Sequence, residues 1–204
     1  ARAGRELTSG SHNTFLGNYA GCNNRTASHN FAGGYKALGT GQVTGGHNIA
    51  IGCKSGENAL GACANIFLGS YSGNDITTGG YNVILGHWAG AQITGGSENI
   101  ALGRLSLGGA NVTGTCNVFL GVYAGCKLPR GADNIALGRL SMGAGTVTGS
   151  YNIAFGKEAG KAITSGLNNI FLGCKAGIGH TNAPENIFLG NCSGASVAGT
   201  KNNS

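Results

Sequence analysis

The chain is poor in several residue types that most soluble domains use. Its 204 residues include only two prolines, one methionine and one tryptophan, and charged residues make up 10%. The seven Asp and Glu residues are too few for a calcium solenoid and form no carboxylate pair of the kind that glycoside hydrolysis needs. No nucleophile–base pair is signalled either, so an enzyme is not expected.

Long apolar runs and paired cysteine motifs are also missing. No stretch approaches the roughly 18 apolar residues of a membrane-spanning helix, so no span is predicted. The seven cysteines include no CxxC pair, which argues against structural zinc, and no metal or cofactor is predicted. The net charge of +6 allows a weak attraction to acidic polymers, but no nucleic-acid-binding module is recognisable. Without a signal peptide or initiator Met, the chain is expected to be a processed or excised piece.

What the chain has in abundance is a short repeat. An Asn recurs at every seventeenth or eighteenth position, and a Gly follows it four positions later, in all eleven copies. We call each copy a coil, from coil 1 at Asn13 to coil 11 at Asn186, and number its Asn as column zero. A fixed short period predicts a solenoid in which every coil packs only on its neighbours. The residues expected to define the repeat are Asn48, Gly52, Asn65, Gly69, Asn82, Gly86, Asn99, Gly103, Asn117, Gly121, Asn134 and Gly138.

Columns one to three of each coil predict a short β-strand. They form an apolar run, rich in Ile and Val, between the Asn and the Gly. The 41 glycines leave no window for an amphipathic helix. We therefore predict an all-β, parallel β-solenoid of about 11 coils, with the asparagines stacked in a ladder. Residues 1–12 are expected to be a lead-in or linker, residues 13–202 the solenoid, and residues 203–204 the start of a further repeat.

Three coils are longer than the others by a single residue. In each of them an apolar residue precedes the Gly that other coils carry at column eight: Leu38, Leu107 or Met142. The sequence therefore predicts that this apolar residue is the inserted one.

Column two is apolar in every coil, like columns one and three. Since side chains alternate along a strand, both faces of the strand are predicted to be buried. One narrow coil encloses only one core, so either another wall of the coil or another subunit has to cover the second face. We expect columns one and three to serve folding and column two to serve self-association, through Phe15, Phe67, Ile84, Phe119, Phe171 and Phe188.

Two segments resemble a known family of adhesins. Asn99-Ile-Ala-Leu-Gly-Arg-Leu-Ser106 and Asn134-Ile-Ala-Leu-Gly-Arg-Leu-Ser141 are similar to the head repeats of trimeric autotransporter adhesins of the YadA type. Similar Asn- and Gly-rich repeats occur in phage and large-virus fibre proteins. The resemblance implies a left-handed parallel β-roll, three copies side by side, and a role in attachment, with a family repeat shorter than this one.

Column six and the position before the asparagine carry the candidate binding residues. Tyr71 and Trp88 fall in adjacent coils at column six, where aromatic rings suit sugars or partner surfaces. His12, His29 and His47 precede three successive asparagines, and we expect an imidazole ladder rather than a metal site.

Two covalent modifications are also suggested. Cys174 and Cys192 lie in adjacent coils, one column apart, and are a candidate disulfide, with buried free thiols as the alternative. Asn24, Asn111 and Asn191 each begin a glycosylation acceptor pattern.

The sequence favours a structural role. We expect a non-enzymatic, extracellular fibre or filament subunit at a cell or virion surface, self-associating through its apolar strand face and open ends as a trimer or an end-to-end filament. An adhesin module for surface glycans or a receptor is the alternative. A left-handed β-helix acyltransferase is more remote, since only one hexapeptide of that type fits each coil.

Overall fold

The chain folds as a parallel β-solenoid with one short strand per coil. The computed structural model describes residues 2–109 and 111–195. Eleven strands form one sheet in sequence order, each parallel to and in register with its neighbours, so that Ile66, for example, pairs with Val83. This confirms the predicted fold. The strands are β1 Thr14–Leu16, β2 Phe31–Gly33, β3 Ile49–Ile51, β4 Ile66–Leu68, β5 Val83–Leu85, β6 Ile100–Leu102, β7 Val118–Leu120, β8 Ile135–Leu137, β9 Ile153–Phe155, β10 Ile170–Leu172 and β11 Ile187–Leu189.

The asparagines at column zero form a continuous buried ladder. The backbone N–H and the Nδ2 of Asn65 donate to Oδ1 of Asn48 at 3.0 and 3.1 Å, and Asn82 repeats both bonds to Asn65 at 2.9 Å each. The Nδ2 of Asn65 also donates to the carbonyl of Gly79, later in the same coil, at 3.0 Å. One amide thus bonds the neighbouring coil and closes its own, a combination that needs a donor and an acceptor on a short side chain.

The glycine at column four is required by close backbone contact. At Gly69, φ is +130°, and an added Cβ would lie 2.7 Å from the carbonyl oxygen of Gly86 in the next coil. A side chain would meet backbone atoms that cannot move without separating the coils. This explains why the position is Gly in coils 1 to 10, where the next coil approaches closely.

The interior is filled from column two. Phe67, Phe119 and Phe171 are fully buried, whereas columns one and three face outward. The Asn at column zero points inward to close the coil, and alternation then turns column two inward as well. Assigning column two to self-association was therefore wrong, and so was assigning columns one and three to the core. The residues concerned are Phe15, Phe67, Ile84, Phe119, Phe171 and Phe188, of which Phe15 is partly buried against the core and the rest are buried.

The rest of the same coil covers this inner face. In coils 1 to 10, column seven is buried Ala or Ser, as at Ala89, and Ser55 donates through Oγ to the carbonyl of Phe67 at 3.1 Å. Across the coil stand buried aliphatic residues such as Ile76 and Ile93. The wall alternative is therefore the correct one for column two.

The extra residue of the longer coils lies after column eight. The backbone N–H of Leu38 donates to the carbonyl of Ser55 in the next coil, just as Gly56 donates to Ser72. Leu38 therefore occupies the glycine position at column eight, with φ of +47°, and the extra residue lies further along the coil. Treating Leu38, Leu107 and Met142 as the inserted residues was wrong.

Columns two and eight never both carry a large residue: six coils have Phe or Ile at column two with Gly at column eight, the three longer coils have Ala with Leu or Met, and coils 3 and 9 have Ala with Gly. Coil 7 has Phe119 with Gly125, where an added Cβ would lie 2.7 Å from the Phe119 ring. Coil 8 has Ala136 with Met142, both fully buried. The left-handed conformation costs a non-glycine residue about 1–2 kcal/mol, and burying a Leu or Met side chain contributes about 1.5–3 kcal/mol, so burial offsets the strain.

The repeat extends into the segment predicted to be a linker. The backbone N–H groups of Gly4, Glu6 and Thr8 donate to the carbonyls of Ala20, Cys22 and Arg25 in coil 1, at 2.9 to 3.0 Å. Gly4 has φ of +59°, close to the +56° of Gly21 at column eight. Residues 4–10 therefore stack on coil 1 as part of a preceding coil, which fits a lead-in to the solenoid rather than a separate linker. The further repeat predicted at residues 203–204 lies outside the described residues.

Candidate interaction surface

Columns one and three form a flat apolar surface along the rod, which we call the outer face. Its members include Ile49, Ile51, Leu85 and Ile100, exposed to 39%, 44%, 37% and 37%. Eleven strands at about 4.8 Å spacing, each of three residues, give a face on the order of 50 Å by 10 Å. An apolar area of about 500 Å² is at the upper end of what monomeric soluble proteins expose. Thr14 and Gly33 are the two members without a large apolar side chain.

Charged side chains border the outer face along both long sides. The position before each Asn, which we call column minus one, precedes the strand, and columns five and six follow it. We call the first border the acidic edge and the second the basic edge. The acidic edge carries Glu98, Asp133 and Glu185. The basic edge carries Lys36, Lys54, Arg104, Arg139, Lys157 and Lys175, with Glu158 as its one acid.

Three histidines continue the acidic edge at its N-terminal end. The rings of His12 and His29 stack with centroids 4.8 Å apart and planes 6° apart, and His29 and His47 stack at 4.7 Å and 3°. The predicted imidazole ladder is therefore present. In the described ranges, no group of three or more His, Cys, Asp or Glu side chains is arranged to hold a metal ion.

Tyr71 and Trp88 stack on each other along the basic edge. Their ring centroids are 4.4 Å apart with planes 4° apart, and the ammonium of Lys54 lies over the Tyr71 ring at 5.5 Å. His87 meets both rings edge-on, at 6.4 Å from Tyr71 and 6.2 Å from Trp88. The ring faces are thus turned along the rod toward neighbouring side chains, and mainly ring edges point to solvent.

Two other carboxylates already have partners within the rod, in their own coil and in neighbouring coils. Glu57 is buried and lies 3.4 Å from Nζ of Lys54 and 3.8 Å from Nζ of Lys36, and it accepts from Nδ2 of Asn74 at 3.2 Å. The nearby carboxylate raises the pKa of the Lys54 ammonium above its ordinary value. Glu158 pairs in the same way with Lys161 at 3.7 Å.

The acidic edge differs, since no ion pair of Glu98, Asp133 or Glu185 occurs in the part of the chain that the structure describes.

The predicted disulfide is absent from the structure. All seven cysteines are free thiols. The backbone N–H of Cys192 donates to the carbonyl of Cys174 at 2.9 Å, but its Sγ is directed to Oδ1 of Asn191 at 3.7 Å. Adjacent columns carry their side chains in different directions, so the Cys174–Cys192 prediction was wrong although the two coils do touch.

The predicted glycosylation sites fall in different environments. Asn24 is fully buried, at the position that Ile76, Ile93 and Ile163 occupy in other coils, so its side chain is closed to a glycosylating enzyme and the prediction for it was wrong. Asn111 and Asn191 are exposed, and for them glycosylation stays a prediction.

Comparisons with known proteins give no relative. No family model, no curated protein and no solved structure matches the chain. Within the described residues, no helix is long and apolar enough to cross a bilayer.

The sequence alone identified the right strand but the wrong side of it. The hydrophobic pattern alone did not predict the outer face or its two charged edges, because it does not show whether the column-zero side chains point into or out of the coil. A buried Asn that closes the coil fixes column zero as inward, and this signal was already present in the eleven-fold repeat of Asn.

Proposed function

We propose that this protein is a non-enzymatic structural rod that joins copies of itself laterally through the outer face, as a subunit of an extracellular fibre or attachment structure. The observation that carries the proposal is the long file of outward Ile, Val, Leu and Phe on a rigid parallel sheet. Rigidity comes from the Asn ladder and the backbone bonds between coils. The ladder lies inside the coils and the backbone bonds run along the rod, so neither occupies the outer face, which is free for a partner.

The outer face alone is smaller than a usual stable interface, so the interface should include the two edges. A stable protein–protein interface usually buries about 800 Å² on each partner, and the outer face alone offers about 500 Å². Columns minus one, five and six together roughly double the width of the contact. The interface then has an apolar centre and a charged rim, the usual anatomy of protein–protein interfaces.

The surface is less suited to a sugar than the sequence indicated. Stacking of a sugar on an aromatic ring needs a free ring face. Tyr71 and Trp88 cover one face of each other, and Lys54 lies over the other face of Tyr71. The aromatic pair therefore supports the edge of an interface better than a glycan platform.

The test is the mass of the protein in solution. Sedimentation equilibrium of the native chain should give a multiple of the 20.3 kDa chain mass. Leu85→Glu places a charge at the centre of the outer face and should give the mass of one chain. Thr113→Glu is a control at an exposed position away from this face and should keep the native mass. A native chain that sediments as a single copy at all concentrations, or a Leu85→Glu variant of native mass, would contradict the proposal. A glycan array with the native chain tests the adhesin alternative.

A further inference from the structure

The two charged edges of the outer face match each other coil by coil. Column minus one of a coil lies at the same height as columns five and six of that coil, on opposite sides of the strand. Coil 6 has Glu98 on the acidic edge and Arg104 on the basic edge, and coil 8 has Asp133 and Arg139. The opposite charges are separated by the width of the strand and form no ion pair with each other in the described residues.

We propose that the partner on the outer face is a second copy of this chain, parallel and in register, related by a two-fold axis that runs along the rods. This inference rests on the proposed function and specifies its partner and orientation. This two-fold rotation exchanges the left and right borders of the outer face and leaves each coil at the same position along the rod. The acidic edge of each copy then lies against the basic edge of the other, and Glu98 meets Arg104 twice while Asp133 meets Arg139 twice.

The antiparallel alternative places like charges together. A two-fold axis perpendicular to the rods, with all eleven strands overlapped, brings coil 6 of one copy against coil 6 of the other with the edges unexchanged. Glu98 then faces Glu98, and Arg104 faces Arg104. Like charges across an interface oppose that arrangement. A parallel pair shifted by one coil loses both matches and cannot close into a dimer.

The remaining positions are compatible with the parallel pair. Tyr81, 66% exposed on the acidic edge of coil 5, faces His87 and Trp88 of the second copy. Cys116 in coil 7 faces Val122 and Tyr123. Among the Lys, Arg, Asp and Glu side chains of the two edges, no coil from 1 to 11 places two like charges against each other. A single flat face is fully covered by one second copy, which limits the closed assembly to two chains.

Neutralising the acidic edge separates the two orientations. Glu98→Gln with Asp133→Asn removes four attractive pairs from the parallel dimer and should raise its dissociation constant about tenfold. The same change removes a repulsion from the antiparallel dimer and should lower its dissociation constant. Lys127→Gln with Arg130→Gln removes two exposed positive charges away from the outer face and should leave the constant unchanged. Circular dichroism melting confirms that each variant remains folded.

A mixing experiment tests the pairing of the edges directly. Glu98→Arg/Asp133→Arg chains should sediment as single copies, and so should Arg104→Glu/Arg139→Glu chains. Their mixture should form dimers that contain one chain of each, since at coils 6 and 8 one copy is then positive on both edges and the other is negative on both edges.

The outcomes distinguish this inference from the proposed function. A native dimer that is unchanged or tightened by Glu98→Gln/Asp133→Asn would overturn the parallel arrangement and leave the outer face as the interface. A native trimer would overturn the two-fold axis. A native single copy would overturn both.

Discussion

The two faces of the same sheet are both apolar, yet only one is covered by the chain itself. On the inner face, Ile84 is fully buried between the turns of its own and neighbouring coils. On the outer face, the next residue, Leu85, is 37% exposed. Similar hydrophobicity one residue apart therefore meets two environments. The inner column fills the core of the coil, and the outer columns meet solvent in the single chain and, on the proposed function, another chain in the assembly.

The largest effect is expected on the inner face. Ile84→Glu places an unpaired carboxylate where the side chain is fully buried, and should lower the free energy of unfolding by about 3–5 kcal/mol. Denaturant unfolding followed by circular dichroism measures this loss. Ile84→Val is the matched control and should cost only about 0.5–1.5 kcal/mol. Equal stability of the Glu and Val variants would show that column two does not face the core.

Exchanging the two ways of filling the core should show strong coupling. Gly125→Leu alone forces a side chain into the Phe119 ring and a left-handed conformation, and should cost about 2–4 kcal/mol. Phe119→Ala alone leaves a cavity and should cost about 3–5 kcal/mol. The double variant copies the core pair of coil 2, Ala32 with Leu38, and should be more stable than Phe119→Ala. Additive losses in a double-mutant cycle would refute the view that columns two and eight share one space.

The outer face should respond in association rather than in stability. Leu85→Glu should lower the free energy of unfolding of the single chain by only about 1 kcal/mol, well below the loss for Ile84→Glu, because more than a third of Leu85 already meets solvent. Unfolding has to be measured at a concentration where the native chain is also a single copy, since association stabilises the fold. A loss comparable to that of Ile84→Glu would place Leu85 in the core.

The smallest effect concerns thiol reactivity. Burial raises the pKa of the Cys126 thiol, which also donates to the carbonyl of Gly143 at 3.1 Å. A raised pKa means less thiolate at neutral pH, so Cys126 should react more slowly with a maleimide than exposed Cys53 and should gain reactivity only at higher pH. The hydrogen bond from Cys116 to Glu98 raises the pKa of Cys116 as well. Peptide mapping after timed labelling measures these rates, and faster labelling of Cys126 than of Cys53 would contradict its burial.

Backbone architecture was predictable because it repeats. The Asn ladder, the strand at columns one to three and the glycine at column four follow from one short pattern seen eleven times. The sequence also argued against helices, because glycine has a low helix propensity and the chain has 41 of them.

The direction of the side chains was harder to predict because all three strand columns are apolar. Hydrophobicity alone could not separate Ile84 from Leu85, and only the hydrogen bonds of the buried asparagines decide which of them faces inward. The position of Leu38 was missed for a similar reason. A leucine with positive φ in a glycine position is unexpected from propensity, and it is tolerated because its side chain fills the space beside Ala32.

The predictions of a Cys174–Cys192 disulfide and of glycosylation at Asn24 were wrong because residue spacing does not give the direction of a side chain. Cys174 and Cys192 are in adjacent coils as expected, yet their columns differ, and a difference of one column redirects a side chain. Asn24 has the acceptor pattern but occupies a core position.

Small-angle X-ray scattering of the native chain tests the central claim most directly, because it separates the width of a rod from its length. Lateral pairing through the outer face predicts a particle still about 50 Å long, with a cross-section larger than that of the Leu85→Glu variant. A native particle that lengthens with concentration at the cross-section of one chain would contradict the account and favour end-to-end stacking.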